Sequence, residues 1–356
     1  MEMQGLLGKN NVTWGLFRPA GFRLRSLVDG VSRIVRKPLE ALVCQKPEGT
    51  LVMNPCRICL ITAESASWLP LLAGRLPPLA VLVESPAEAE ILIGRPAEIA
   101  AVIDQCPNLR WAQSTFAGVD ALMKPGQRRD YRLSRVTGIF GPAMAEWAFG
   151  QIIARERGFA ELAAAQSKSQ WQPRPYRLLS TLHLGLGGLG EIGCHLAATA
   201  RHFGMKVSGF SRSGSGPEGI PCYGAADFDA FLREPDYFLF TLPDTPSTRG
   251  LFDAAAIAKM KPGAVLINAG RGSLIDESAV AAALQSGHLG GAILDVFARE
   301  PLSPESPLWQ APGCVVSPHC SALSFPWQVA DLFLANLDTY LKGGKLRGEV
   351  DFAKGY

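Results

Sequence analysis

Short apolar runs bounded by proline, glycine or acidic residues recur along the chain from residue 56. CRICLIT (56–62), LAVLV (79–83), EILIG (90–94) and LRWAQS (109–114) have the length and composition of strands, with helical stretches between several of them. Such alternation predicts parallel βαβ units. A long amphipathic helix is predicted from Pro142 through Arg157, where Pro142 suits a first helical turn. The Gln/Pro/Ser-rich stretch 164–180 reads as a linker or surface loop. A second βα series opens at TLHLGLGGLGEIGCHLAATARHFG (181–204) and continues through the strands KVSGF (206–210), YFLFTL (237–242), AVLINAG (264–270), GGAILDVF (290–297) and CVVSP (314–318). A last helix is predicted over 325–344. Because that helix remains after the final strand, the pattern is that of two α/β domains, the second inserted into the first.

Bulk properties narrow the function. At 356 residues the chain has room for two domains, and no stretch reaches the roughly 18 apolar residues of a membrane span. A net charge of +3 makes no case for nucleic acid but permits a local anion site. Of eight cysteines, Cys56 and Cys59 form the one close pair. A three-residue step on a strand puts them on opposite faces, so free buried thiols are expected and no metal site.

The first 50 residues differ. Lys9, Arg18, Arg23 and Arg25 face one acid, Glu2, up to Val28, and Leu24, Leu27, Val28, Val31, Ile34 and Val35 recur at helical spacing. This fits a mitochondrial presequence or a surface extension. The two readings put the protein in the mitochondrion or the cytoplasm.

The chemistry starts at Gly185-Leu186-Gly187-Gly188-Leu189-Gly190, a GxGxxG between an apolar strand and a helix. The first glycine allows a tight turn, the second close approach of a pyrophosphate, the third close helix–strand packing. Free N–H groups at the helix N-terminus favour the anion. The next strand ends in Ser211-Arg212-Ser213, and no acid occurs between Glu191 and Glu218. An arginine with two hydroxyls suits a 2′-phosphate, so NADP(H) is expected as the preferred cofactor, with NAD(H) as the alternative.

Three further segments lie at or after strand ends, where open parallel sheets bind ligands: NAGRGSLID (268–276), LDVFAREPL (294–302) and SPHC (317–320). Arg271 can bind a 2-oxo acid carboxylate bidentately and polarise its ketone. His319 is the natural proton donor to the developing alkoxide, and Glu300 beside it would hold it protonated and oriented. Each residue alone has a bland reading as a surface or loop charge; their order behind a nucleotide turn favours chemistry.

On GLGGLGEIG, TLPDTPSTRGLF, INAGRGSLIDE, GAILDVFAREPL and SPH, from about residue 56 to the C-terminus, the chain resembles the D-isomer-specific 2-hydroxyacid dehydrogenases. It is most similar to the glyoxylate/hydroxypyruvate reductase A type, which shares SQWQP, PLSPESPLWQ and the ending GEVDFAKGY. The resemblance implies two doubly wound parallel-sheet domains. A Rossmann NAD(P)-binding domain (143–318) is inserted into a flavodoxin-like substrate domain (53–142 and 319–356), behind an extension (1–52), usually as a homodimer. It implies that Arg271, Glu300 and His319 are catalytic, and that the N–H groups of Ala117, Gly118 and Val119 in STFAGVD bind the substrate carboxylate. Leu242, Pro243, Thr245, Asn268, Ala269, Gly270 and Asp295 would lie around the cofactor. The implied reaction is NADPH-dependent reduction of small 2-oxo acids, glyoxylate and hydroxypyruvate foremost, to D-2-hydroxy acids. Nucleotide-sensing corepressors similar to this family supply the competing reading, a binding protein on the same fold.

Two departures stand out. Asp244 replaces an apolar or amide residue, which puts the local cofactor contact in question. Cys320 follows His319 directly, and either sensitises the site to oxidation or is inert. His183, His195, His202 and His288 are expected to be structural, and Trp171 and Trp309 to pack in the core or a loop.

Overall fold

The computed structural model describes residues 55–62 and 65–354; the presequence reading concerns residues outside this range. Five parallel strands, β1 (Cys56–Ile61), β2 (Ala80–Val83), β3 (Ile91–Gly94), β4 (Trp111–Ser114) and β5 (Arg132–Ser134), form one sheet in the order β2-β1-β3-β4-β5. This is the flavodoxin-like order. Successive side chains point to opposite faces. Cys56, Ile58, Ile91 and Trp111 therefore enter one core and Cys59, Leu92 and Ala112 the other, so the two cysteines cannot share a ligand.

The first core is closed by the C-terminal helix (Pro326–Leu341) through Val329, Phe333 and Leu337. Trp111 stacks between Phe333 and Tyr340, each 5.2 Å away. Its indole N–H donates to Ser134 Oγ at 2.8 Å, Ser134 Oγ donates to Gln113 Oε1 at 2.8 Å, and Asn336 Nδ2 donates to the same oxygen at 3.1 Å. These buried polar groups satisfy one another and fix the helix on the sheet.

The second sheet has seven parallel strands: β6 (His183–Gly187), β7 (Lys206–Phe210), β8 (Cys222–Tyr223), β9 (Tyr237–Phe240), β10 (Val265–Asn268), β11 (Gly291–Leu294) and β12 (Cys314–Val316). Their order, β12-β11-β10-β9-β6-β7-β8, reverses direction between β6 and β9, the Rossmann switch point. Helices cover both faces, which is why these strands read as continuous apolar runs. On one face Met144, Ala148, Leu196 and Ala200 pack on Leu184, Leu239 and Ile267; on the other Phe231, Ile257 and Val280 pack on Phe238 and Leu266. The hydrophobic pattern does not predict strands β5 and β8, because three and two residues carry no readable period. The linker predicted over 164–180 begins later, since a helix occupies Phe159–Ser167.

His183 is buried, with Nε2 at 2.9 Å from Ser208 Oγ, and burial and the Lys206 charge push its pKa down to about 4. The unfolded chain binds this proton below about pH 6.5, the folded chain only below about 4. Stability is therefore complete above pH 6.5 and falls as pH drops through that window. Between pH 6.8 and 5.2 the group should remove about 1–2 kcal/mol. Thermal melts at the two pH values check this: His183→Gln should flatten the difference, and an unchanged slope would contradict it.

Candidate active site

The loops that carry the predicted residues all leave the carboxyl ends of parallel strands. β6 ends at Gly187, and the turn follows: Gly188 has φ +97°, Gly190 caps the helix Glu191–His202, and Gly193 lies in its first turn. A Cβ on Gly193 would sit 1.9 Å from Gly188 O, whereas one on Gly190 would meet nothing within 4 Å. The tight turn, the open approach and the close packing thus belong to Gly188, Gly190 and Gly193. This corrects the register expected from the sequence. LGLGGLGEIG contains GxGxxG twice, and the copy that has the turn geometry begins three residues later. Gly185 and Gly187 are buried strand residues whose missing side chains make room for Pro235 and Phe240. The open space at Gly190 and the N-terminus of a 12-residue helix fit a pyrophosphate.

The neighbouring strand β7 delivers Ser211-Arg212-Ser213 beside this turn, because Gly188 N donates to Phe210 O at 2.9 Å. Ser211 Oγ donates to Ser215 O at 2.7 Å, and Arg212 is exposed. After β9, a Cβ on Gly270 would sit 2.9 Å from Leu242 O, so Leu242-Pro243 lies against Ala269-Gly270. Thr248 Oγ1 donates to Pro243 O at 2.7 Å and accepts from Thr245 N at 2.9 Å. Asp244 has a structural use: Arg249 holds it at 2.7 and 2.9 Å and Ser273 Oγ donates to it at 2.9 Å. The Arg249 hydrogen bond keeps its carboxyl below the usual range.

Arg271 sits on a turn shaped by buried Asn268, whose Nδ2 donates to Arg271 O at 2.9 Å and whose Oδ1 accepts from Gly270 N at 3.1 Å. Its guanidinium donates to Gly270 O at 2.8 Å and to Asp120 Oδ2 at 3.2 and 3.3 Å. It lies directly on Gly118, where a Cβ would fall 2.1 Å from Nη2. The structure thus brings Arg271 onto the loop after β4. Ser114 Oγ shapes that loop, donating to Phe116 O at 2.8 Å and accepting from Phe116 N at 2.9 Å. Among the described residues the N–H groups of Ala117, Gly118 and Val119 donate to no partner. Asp120 was not singled out from the sequence, although it is the one acid in the STFAGVD stretch.

Glu300 accepts from His319 Nδ1 at 2.8 Å through Oε2 and from Phe297 N at 3.0 Å through Oε1. A carboxylate can only accept, so the Nδ1 proton points at Glu300 and Nε2 is left facing outward on a ring that is 56% exposed. His319 adopts φ +52°, a conformation rare for a residue with a Cβ. Asp295, fully buried, holds it there: its carboxylate accepts from Ser317 Oγ (2.6 Å), Cys320 N (2.9 Å) and Ser321 N (2.9 Å), and its carbonyl from His319 N (2.9 Å). Glu277 Oε1 accepts from Ala298 N at 2.7 Å, anchoring the loop before Glu300. The Arg271 turn packs on that same loop, since a Cβ on Gly272 would fall 1.8 Å from Phe297 C.

The remaining expectations divide. His183 and His288 are satisfied by Ser208 and by Ile257 O (2.9 Å), and His195 packs under Gly141. Burial and the Asp295 charge raise the Cys320 thiol, which opposes reactivity. Trp309 packs in its loop, donating to Ser303 O at 2.9 Å. Trp171 does not pack in the core: it is 97% exposed, in a segment without regular structure.

Residues 149–321 match the family profile described as "D-isomer specific 2-hydroxyacid dehydrogenase, NAD binding domain". Among solved structures, a D-isomer specific 2-hydroxyacid dehydrogenase family protein from Aeromonas salmonicida is 38% identical over 84% of this chain and all of that one, with a TM-score of 0.79. A D-isomer specific 2-hydroxyacid dehydrogenase from Xanthobacter autotrophicus, in complex with NADPH and MES, is 29% identical over 85% of this chain and all of that one, with a TM-score of 0.78. An NADPH-dependent glyoxylate/hydroxypyruvate reductase from Sinorhizobium meliloti, in complex with NADP and sulfate, is 31% identical over 85% of this chain and all of that one, with a TM-score of 0.75.

Proposed function

The chain belongs to the D-isomer specific 2-hydroxyacid dehydrogenase family, and from that premise we propose that it reduces small 2-oxo acids, glyoxylate and hydroxypyruvate foremost, with NADPH. The observation that carries the reading is the His319–Glu300 pair, on a loop packed against Gly272, next to an arginine that lies on Gly118 in the loop of three unengaged N–H groups.

Gly188, Leu189, Gly190 and the helix N-terminus would hold the pyrophosphate. Ser211, Arg212 and Ser213 would take the 2′-phosphate, supported by the absence of an acid at that strand end. Leu242, Pro243, Thr245, Asn268, Ala269, Gly270 and Asp295 would border the nucleotide. When bound, the nicotinamide supplies the hydride to the keto carbon. Ala117, Gly118 and Val119 receive the substrate carboxylate, together with Arg271, which exchanges Asp120 for it. Arg271 also polarises the ketone, stabilising charge that grows on its oxygen. His319 gives that oxygen a proton from Nε2, while Glu300 holds the ring through Nδ1. The product is a 2-hydroxy acid of the D series.

Initial rates of NADPH and NADH oxidation with glyoxylate and with hydroxypyruvate test the proposal. Turnover favouring NADPH by at least tenfold is the expected outcome. A preference for NADH would remove the 2′-phosphate assignment, and binding without turnover would favour a sensing role.

Trp171, Tyr176 and Leu178 expose large apolar surface on one short segment. Apolar side chains exposed together mark contact surfaces, and we infer that this segment is the contact of a homodimer. The solution mass by light scattering should be twice that of the chain; a monomer at micromolar concentration would refute it.

A further inference from the structure

Arg135 follows β5 directly and is half-buried. Its backbone N–H donates to Gly348 O at 2.9 Å, but among the described residues its guanidinium makes no hydrogen bond and no ion pair. The flanking contacts define its place. Val136 N donates to Phe116 O at 3.1 Å, in the loop that carries the three unengaged N–H groups. Thr137 Oγ1 and Gly138 N donate to Glu191 Oε2 at 2.5 and 2.7 Å, at the first residue after the glycine turn. Arg135 thus stands between the substrate loop and the turn.

Its electrostatic setting is unfavourable as it stands. Burial presses its pKa below the ordinary arginine value; Glu191 opposes this, and the Arg271 charge adds to it. A guanidinium keeps its charge and offers five N–H donors, so this one can receive an anion. Neither nearby acid bonds to the guanidinium directly. Asp120 is turned to Arg271, and Glu191 is held by Thr137 and Gly138.

We propose that Arg135 is a specificity-determining residue that takes a second carboxylate on the substrate, so that short dianionic 2-oxo acids are reduced alongside monoanionic ones. The placement favours substrate over nucleotide, because Arg135 lies one residue from the strand-to-loop bond with Phe116, whereas the glycine turn already offers its own N–H groups to a pyrophosphate. The proposal rests on the roles given above to Arg271 and His319.

The test compares oxaloacetate, a dianion, with hydroxypyruvate, a monoanion of similar length, using NADPH and the full chain. Wild type should reduce oxaloacetate with a kcat/KM within about tenfold of that for hydroxypyruvate. Arg135→Gln should lower kcat/KM for oxaloacetate about 30- to 100-fold, the worth of a charge-assisted hydrogen-bond pair, and change that for hydroxypyruvate less than threefold. Arg135→Lys, which keeps the charge and loses the fork, should fall between them. Three outcomes would overturn the proposal: wild type that turns over hydroxypyruvate but not oxaloacetate, equal losses on both acids, or a raised dissociation constant for NADPH in Arg135→Gln, which would assign the residue to the nucleotide. Failure of wild type with every 2-oxo acid would instead overturn the functional reading itself.

Discussion

His319→Ala is expected to lower kcat for 2-oxo acid reduction by roughly 10³-fold, the usual worth of a positioned general acid. The argument is geometric. Glu300 accepts the Nδ1 proton at 2.8 Å, so the ring has one orientation and one free nitrogen. The loop beneath is gripped by Asp295 through Ser317, Cys320 and Ser321. Truncating an exposed ring should leave that grip, the melting temperature and NADPH binding nearly unchanged. Stopped turnover with intact NADPH fluorescence quenching would therefore separate chemistry from folding. Retention of more than a third of wild-type kcat would remove His319 from the reaction.

Gly272→Ala should be as damaging, for a different reason. The added methyl carbon would lie 1.8 Å from Phe297 C, 2.1 Å from Phe297 O and 2.3 Å from Ala298 N. All three are backbone atoms, so no side chain can rotate away. Either the turn bearing Arg271 or the loop leading to Glu300 must move by an ångström or more. Misplacement on that scale costs about 10²-fold in rate, and overpacking costs about 1–3 kcal/mol of stability. We expect kcat/KM to fall at least 100-fold, with a lower melting temperature and an unchanged circular dichroism spectrum. Gly150→Ala is the control: it lies in the helix Phe140–Arg157, and its methyl would meet nothing within 4 Å. If Gly272→Ala behaves like Gly150→Ala, the packing of the two loops does not hold the site together.

The elements that could be read in the sequence are those whose burial writes a period into a local stretch. KVSGF and CRICLI appear as strands because a core on either side demands apolar side chains there. The seven-stranded sheet, with strands buried on both faces, was legible almost throughout; β8, with two residues, was not. The glycine turn marks the limit of this kind of reading. Two overlapping copies of GxGxxG satisfy the pattern equally, and the choice rests on the +97° φ of Gly188 and on what a Cβ would strike at Gly193. Neither quantity is a property of a short string.

The pairing of His319 with Glu300 was inferable because both follow adjacent strand ends, 19 residues apart in the chain. The contact of Arg271 with Asp120 joins residues 151 apart, on different sheets, and no local pattern encodes it. The same holds for Arg135. Its sequence neighbours mark it as the end of a short strand, and only the fold brings the charges of Arg271 and Glu191 to bear on it. Asp295 and Asn268 were assigned by resemblance to the surroundings of a cofactor. The structure shows their polar atoms holding the His319 loop and the Arg271 turn. Residue types, strand ends and reaction class come from local chemistry. The partners that orient each group come from long-range packing, because a hydrogen bond depends on where two chain segments lie in space and not on how far apart they are in sequence.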